Sequence, residues 1–374
     1  MIKTVAIIIS PNTPIRGATL NIPKILSTLG LNCLLITTLK NNNIENLPEN
    51  VIFYNIFLST ILKNIVPKVP RLIGNVIEQC LIMLTLIILI NRTDIFLFSH
   101  LVMPIPIICL KLLKKKTMVL IGGISYFSIP KNEKYTRKLI FYSESIQCKF
   151  CDVILIISDN LRNILPFSNY KNKIFKIQLI LFDDDFFKKF YFSKLIDRKN
   201  MIGFIGRFSW EKGVIEFINS IPLIVSKIDD AQFLIIGDGL LKSTVTNLLK
   251  SYGLDKHVNI LPWVNNVENY LHALKLLVIP SYSEGIPSIM FEAMASGTPV
   301  LATSVGGISE ILKNESTGFL LKSNDPEYLA DKITYLLDSS QLLESVNKNA
   351  YLYLKKNFSF EKTLEDWRKA IFTG

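Results

Sequence analysis

Leu276-Leu-Val-Ile-Pro-Ser-Tyr-Ser-Glu284-Gly285-Ile286-Pro287-Ser288-Ile-Met-Phe-Glu292-Ala-Met-Ala-Ser-Gly-Thr-Pro-Val-Leu-Ala302 is the stretch on which the fold turns. A short apolar run, Leu276–Ile279, ends in a polar turn. A helix-length segment follows, and a second apolar run, Pro299–Ala302, comes after it. Strand, turn, helix and strand in that order are the unit of a parallel α/β sheet. The same unit recurs on both sides. The second half of the chain holds further candidate strands at Met201–Ile205, Gln232–Ile236 and Val258–Leu261. The first half holds Thr4–Ile9, Cys33–Thr37, Asp94–Phe98, Thr117–Ile121 and Val153–Ser158. The fold expected is α/β, with two Rossmann-like doubly wound parallel sheets facing a cleft.

The totals agree with two cores. At 374 residues the chain is long for a single core, and its 49% hydrophobic content excludes disorder as its main state. The expected division is 1–185 and 186–354, with the polar stretch Phe187–Asn200 as linker. A helix at about 355–374 is expected to pack back on the first domain. No run reaches the roughly 18 apolar residues of a membrane-spanning helix. Cys80–Ile90, bounded by Glu78 and Arg92, reads as a buried helix, with a membrane-dipping helix as the alternative. Val5–Ile9 is too short for the core of a signal peptide, and Pro11 and Pro14 follow it. The five cysteines sit mostly in apolar surroundings as reduced thiols do, and Cys148-x-x-Cys151 lacks the second pair of a zinc ribbon.

Charge is uneven. Residues 1–180 hold 21 of the 42 Lys/Arg but 8 of the 31 Asp/Glu, so the chain's net +11 resides in the first half. Lys111, Lys114, Lys115 and Lys116 follow the apolar run Leu101–Leu110, and Val51–Val66 with Cys80–Ile90 adds further apolar material. Basic and apolar surface together point to an anionic membrane as a partner. A nucleic-acid partner is not expected.

In open parallel sheets ligands bind beyond the carboxyl ends of strands, so residues just after strands carry the chemistry. Gly206-Arg207-Phe-Ser-Trp-Glu-Lys212-Gly213 follows Met201–Ile205. A guanidinium fork with a point-charge ammonium suits a diphosphate. Gly285 and Pro287 fit a loop entering a helix, whose first N–H groups suit a phosphate. Glu284 in that loop and Glu292 within the helix can each hold a pair of sugar hydroxyls. Thr303-Ser-Val-Gly306-Gly307 supplies small residues and backbone donors after a third strand. Each stretch alone also reads as an ordinary loop.

Taken together they are more specific. G-R-x4-K-G at 206–213, Gly237-Asp238-Gly239 after an apolar strand, and E-G-x-P-x4-E-A-M-A-x-G-x-P-V from Glu284 to Val300 resemble the family-4 retaining glycosyltransferases of GT-B fold. Residues 201–320 carry the resemblance closely. The first half carries it more weakly, through Gly17, His100 and the strand Cys151–Ser158. Two features depart from the pattern: Gly17 stands alone where two glycines are usual, and Phe182-Asp-Asp-Asp185 replaces Asn-Gly-x-Asp.

The resemblance implies that Arg207 and Lys212 bind the donor diphosphate. It puts Glu292 on the ribose, Glu284 on the hydroxyls of the transferred sugar, Gly17 near the β-phosphate and His100 beside the sugar. The implied donor set also takes in Gly237, Val264, Gly285, Ile286, Pro287 and Ser288, and His100, Glu284, Arg207 and Lys212 form the implied catalytic group. The Asp183–Asp185 run invites comparison with a metal-binding DxD. It lies at a linker rather than after a nucleotide-binding strand, so no metal and no cofactor are expected. The function expected is transfer of a sugar, with retention, from a nucleotide-sugar donor to a glycan or lipid-linked acceptor. The expected place of action is the cytoplasmic, inner face of the cell membrane, with the enzyme bound peripherally. A nucleotide-sugar epimerase of similar fold is one alternative, and a noncatalytic sugar-nucleotide-binding subunit is another. An NAD enzyme is disfavoured, because Gly237-x-Gly239 lacks a third glycine.

Overall fold

The computed structural model describes residues 2–9, 21–37, 47–55, 71–99, 102–122, 133–164, 168–195 and 198–373. They form two compact units, Met1–Leu181 with Phe360–Gly374 and Phe182–Ser359.

The first unit runs β1 (Thr4–Ile9), α1 (Asn21–Thr28), β2 (Asn32–Thr37), β3 (Val51–Asn55), α2 (Arg71–Leu89), β4 (Ile95–Ser99), α3 (Pro104–Leu112), β5 (Lys116–Ile121), α4 (Lys134–Phe150), β6 (Val153–Ile156), α5 (Asp159–Ile164) and β7 (Ile174–Lys176). Its seven strands are ordered β3-β2-β1-β4-β5-β6-β7, all pairs parallel. Every residue of β4 and β6 is buried, as expected where helices cover both faces of a parallel sheet. Right-handed crossovers place α2, α3, α4 and α5 on one face and α1 on the other. The chain's last helix, Phe360–Thr373, is tied to this unit. Trp367 Nε1 donates to Gln178 O at 2.8 Å, and Lys116 Nζ donates to Ile371 O at 3.0 Å.

The second unit runs α6 (Asp184–Lys189), β8 (Met201–Ile205), α7 (Val214–Val225), β9 (Gln232–Ile236), α8 (Lys242–Tyr252), β10 (Val258–Leu261), α9 (Val267–Ala273), β11 (Leu276–Ile279), α10 (Ser288–Ala295), β12 (Val300–Thr303), α11 (Ile308–Ile311), β13 (Phe319–Leu321), α12 (Pro326–Asp338) and α13 (Ser340–Asn357). Its six parallel strands are ordered β10-β9-β8-β11-β12-β13. Strand order reverses between β8 and β11, and the crevice at such a reversal is where doubly wound sheets bind ligands.

Several expectations shift for identifiable reasons. The strand expected at Asp94–Phe98 starts at Ile95, because the Asp94 carboxylate accepts the amides of Lys3 and Thr4 at 2.8 and 2.9 Å. The strand expected to reach Ser158 stops at Ile156, and Ser158 Oγ accepts the Asn160 amide at the entry to α5. Cys80–Ile90 is not wholly buried: Ile82, Met83, Leu86 and Leu89 face inward while Leu84, Ile87 and Ile88 are exposed. That segment is apolar all round, and one side of it is buried. Phe187–Asn200 is not a free linker, since it belongs to the second unit. Phe186 packs on Phe190 at 5.0 Å between centroids. Arg198 donates to Ser193 O, Leu274 O and Thr298 Oγ1 at 2.9, 2.6 and 2.8 Å, and burial lowers its pKa to about 10. Asp183 opens α6, accepting the Phe186 amide at 2.8 Å as a helix cap does.

The lysines at 111–116 are mostly structural. Lys111 pairs with Asp152, Lys115 donates to Thr93 O and Lys116 to Ile371 O, which leaves Lys114 as the member exposed without such a bond among those described. Cys148 and Cys151 are buried free thiols at the junction of α4 and β6, and burial pushes the Cys151 thiol up to about 12.

Candidate functional site

Three loops of the second unit meet beyond adjacent strands. They follow β8, β11 and β12, which are neighbours in the sheet, so motifs far apart in sequence arrive side by side.

The loop after β8 makes a tight turn: Ser209 N donates to Arg207 O at 2.9 Å and Lys212 N to Ser209 O at 3.1 Å. Gly213 closes it in the left-handed region, φ 68°, and hands the chain to α7. A Cβ there would lie 2.0 Å from Pro280 O, so the position admits no side chain and holds this loop against the next strand end. The loop after β11 is clasped to it by backbone. Tyr282 N and Ser283 N donate to Glu211 O at 2.8 and 3.4 Å, and Trp210 stacks flat on Tyr282 with centroids 5.1 Å apart. The third loop is clasped to the second in turn. Gly307 N donates to Gly285 O at 2.6 Å, and Gly306, φ 56°, has its Cα where a Cβ would meet Glu284 O at 1.8 Å.

Within this frame Lys212 Nζ donates to Glu284 Oε1 at 2.7 Å, and Ser281 Oγ donates to the same oxygen at 2.8 Å. The Glu284 side chain is 7% exposed, and that of Lys212 is a quarter exposed. A pair so shielded interacts more strongly than a surface pair, and removing one partner strands the other's charge. Arg207 is different. Its guanidinium projects into solvent, 3.8 Å from Glu211 Oε1, while Glu211 is held by Ser209 Oγ at 2.7 Å. The site thus offers one cation held by a shielded carboxylate and one more exposed cation beside Glu211.

Pro287 precedes the first turn of α10, and Gly285, Ile286 and Ser288 complete that entry. α10 buries Met290, Phe291, Ala293, Met294 and Ala295; Phe291 packs edge-on against Phe182 and Phe358 with centroids 5.3 and 5.2 Å apart. Glu292 alternates with this apolar face. Burial raises its pKa to about 7, Lys189 lowering it and Glu268 raising it by smaller amounts. Lys189 and Glu268 are themselves 3.6 Å apart. Glu268 lies on α9, and Val264 is in the loop that leads into α9. Gly237 donates from its amide to Leu261 O at 3.0 Å at the end of β9.

The structure therefore brings Arg207, Lys212, Glu284, Gly285, Ile286, Pro287 and Ser288 together, and sets Glu292 on the helix they lead into. Gly17 and His100 lie outside the described residues. They follow β1 and β4, the strands flanking the reversal of order in the first sheet. Sequence reasoning missed Ser281, Glu211, Lys189 and Glu268. Ser281 had a signal, being three residues before Glu284 at a strand end. Lys189 and Glu268 had none, because only the folded chain sets them beside Glu292. A cavity of about 1060 Å³ lies one step along the sheet, lined by Ser281, Tyr282, Thr303, Ser304 and Asn324 among others. None of Arg207, Lys212, Glu284 or Glu292 lines it.

Comparison with known proteins bears on the family and the fold. Residues 186–353 match the family model of the glycosyl transferases group 1. An uncharacterized glycosyltransferase of Methanocaldococcus jannaschii is 34% identical over 168 residues, covering 44% of this chain and 46% of that protein. The capsular polysaccharide biosynthesis glycosyltransferase CapM of Staphylococcus aureus is 28% identical over 272 residues, covering 70% and 69%. An N-acetylgalactosaminyltransferase of Campylobacter jejuni, named for a diphosphate-undecaprenol glycan, is 24% identical over 243 residues, covering 64% and 66%. With several relatives the matched region spans about half the length of the relative. Among solved structures, Anabaena HepE in complex with UDP superposes over 100% of both chains with a TM-score of 0.74 at 15% identity. At that identity the likeness shows the GT-B fold and nothing finer. Residues 186–353, within the second unit, are thus similar to the glycosyl transferases group 1 domain, in a chain with the two-domain GT-B fold.

Proposed function

We propose that the chain is a retaining, metal-independent glycosyltransferase that moves a sugar from a nucleoside-diphosphate sugar to a glycan or lipid-linked acceptor. The observation that carries this reading is the part-buried Lys212–Glu284 pair, 2.7 Å apart, set at the strand reversal of the second sheet.

Arg207, Lys212 and the first N–H groups of α10 take the donor diphosphate. Glu292 holds the ribose, and Glu284 the hydroxyls of the transferred sugar. The resemblance assigns Gly17 to the phosphate and His100 to the sugar, Val264 lies on the nucleotide side, and Gly237 keeps the neighbouring strand end in place. The bond between the anomeric carbon and the diphosphate oxygen breaks, and its electron pair stays on the phosphate. Preorganised cations stabilise that developing charge, which is commonly the largest catalytic term. The acceptor hydroxyl oxygen bonds to the anomeric carbon on the same face, and its proton passes to the departing phosphate. Glu284, spoken for by Lys212 and Ser281, is not assigned as nucleophile.

The lipid-linked acceptor is supported by the Campylobacter jejuni relative, which is named for such a substrate. The basic excess of the first half supports action at the inner membrane face. The test is transfer to an undecaprenyl-diphosphate glycan, with the product's anomeric configuration read by NMR, with and without EDTA. Retention and full activity in EDTA are expected. Inversion, or loss of activity restored by magnesium or manganese, overturns the retaining, two-cation mechanism.

A further inference from the structure

The helix α4 carries an apolar stripe on the wrong side for a core. Tyr135, Leu139, Tyr142, Ile146 and Phe150 recur at four, three, four and four residues, the spacing of one helix face. All five are exposed, Tyr135 by 92%. The side that packs inward is narrow, with Gln147 and Cys148 the buried residues of this 17-residue helix. Lysines flank the stripe: Lys134, Lys138 and Lys149 are exposed, Lys138 Nζ lying 5.9 Å from the Tyr142 ring centre and Lys149 Nζ 5.7 Å from that of Phe150. Next to α4 packs α3, and next to α3 packs α2. Both add exposed apolar groups to the same layer, Leu112 and Leu113 at the end of α3 and Leu84 and Ile88 on α2.

We propose that this outer layer of the first unit, with the α4 stripe at its centre, is the surface that docks on an anionic lipid bilayer. The inference deepens the membrane part of the proposed function and rests on it. Aromatic rings with apolar neighbours suit the boundary between headgroups and acyl chains, and lysines beside them meet anionic headgroups. The charge is of the required sign: residues 1–180 hold 21 Lys/Arg against 8 Asp/Glu. The Lys111–Lys116 run is not the centre of this surface, because Lys111, Lys115 and Lys116 are bonded within the unit. The lysines of α4 take that place. Among the described residues no helix is long and apolar enough to cross a membrane.

The test uses the full chain with vesicles of phosphatidylglycerol and phosphatidylethanolamine, and neutral phosphatidylcholine vesicles as control. The protein is expected to sediment with the anionic vesicles at low salt and to remain in solution with the neutral ones. Leu139→Glu with Ile146→Glu should cut the bound fraction by on the order of tenfold or more. Lys134→Glu with Lys138→Glu should do the same by on the order of tenfold, at about a factor of ten per 1.4 kcal/mol. Binding of UDP, GDP and ADP, titrated in turn, should be unchanged in both variants, which shows that they are folded. Wild-type protein that ignores anionic vesicles, or a Leu139→Glu/Ile146→Glu variant that sediments as wild type does, overturns the proposal. So does a solution dimer that this variant dissociates, since the stripe would then cover a second copy. Vesicle binding without affinity for any nucleoside diphosphate would keep the surface and refute the transferase reading.

Discussion

Two helices on parallel sheets make opposite use of their apolar residues. α7 in the second unit buries Val214, Phe217, Ile218, Ser220, Ile221 and Ile224, half of its twelve residues. α4 in the first unit is longer, buries two, and turns aromatic and aliphatic side chains to solvent. The second unit spends its hydrophobicity on holding three loops in register around Lys212 and Glu284. The first unit keeps part of its hydrophobicity outside. An apolar residue at helical spacing thus says that a face exists; only packing says what the face is for.

The contrast is sharpest in stability. Ile218→Ala should destabilise the protein by about 3 kcal/mol, as deletion of a fully buried branched side chain does, whereas Leu139→Ala should stay within about 0.5 kcal/mol. Chemical denaturation followed by two probes measures both. Equal losses would mean that α4 is core.

Within the second unit, Glu284→Gln should lower the transfer rate by about 100-fold, because it touches the transferred sugar, and leave nucleoside diphosphate affinity within about twofold. Affinity lost in step with rate would put Glu284 on the nucleotide instead. Arg207→Ala should weaken nucleoside diphosphate binding by about 2 kcal/mol, the worth of a hydrogen bond to a charged group, with no change in stability. A stability loss would mean that Arg207 is structural despite its exposure.

Glu292 provides the smallest effect and a sign to check. Burial raises its carboxyl to about 7 in the folded chain, above the ordinary value of 4.5. Between those values the folded state binds more protons than the unfolded one, so ligand-free stability falls as pH rises from about 4.5 to 7. Glu292→Gln should flatten that part of the profile. A wild-type profile rising there would mean that Glu292 is ionised when the chain is folded.

The three site loops were legible because each follows a fully apolar strand and carries glycines where the backbone must turn or approach closely, as Gly213 and Gly306 do. The second sheet could be traced for the same reason. β7 and β13 escaped notice because they are three residues long, too short to show a pattern, and β3 lies within the longer apolar run Val51–Val66. Asp183–Asp185 reads as part of a linker rather than a metal motif, and Asp183 is a helix cap. The lysines at 111–116 looked like one basic surface, yet carbonyls and Asp152 claim most of them. Lys189 and Glu268 set the environment of Glu292 from distant parts of the chain, which no local spacing reveals.

The most direct test of the donor site is calorimetric titration of nucleoside diphosphates into wild-type protein and Lys212→Ala, both in EDTA. The wild type should bind one of them without a divalent metal. Lys212→Ala should bind it about 30-fold more weakly, a loss of about 2 kcal/mol, because the fixed cation is gone and Glu284 is left unpaired beside the phosphates. Absence of binding by the wild type, or unchanged affinity in the variant, would contradict the assignment of these loops to the donor.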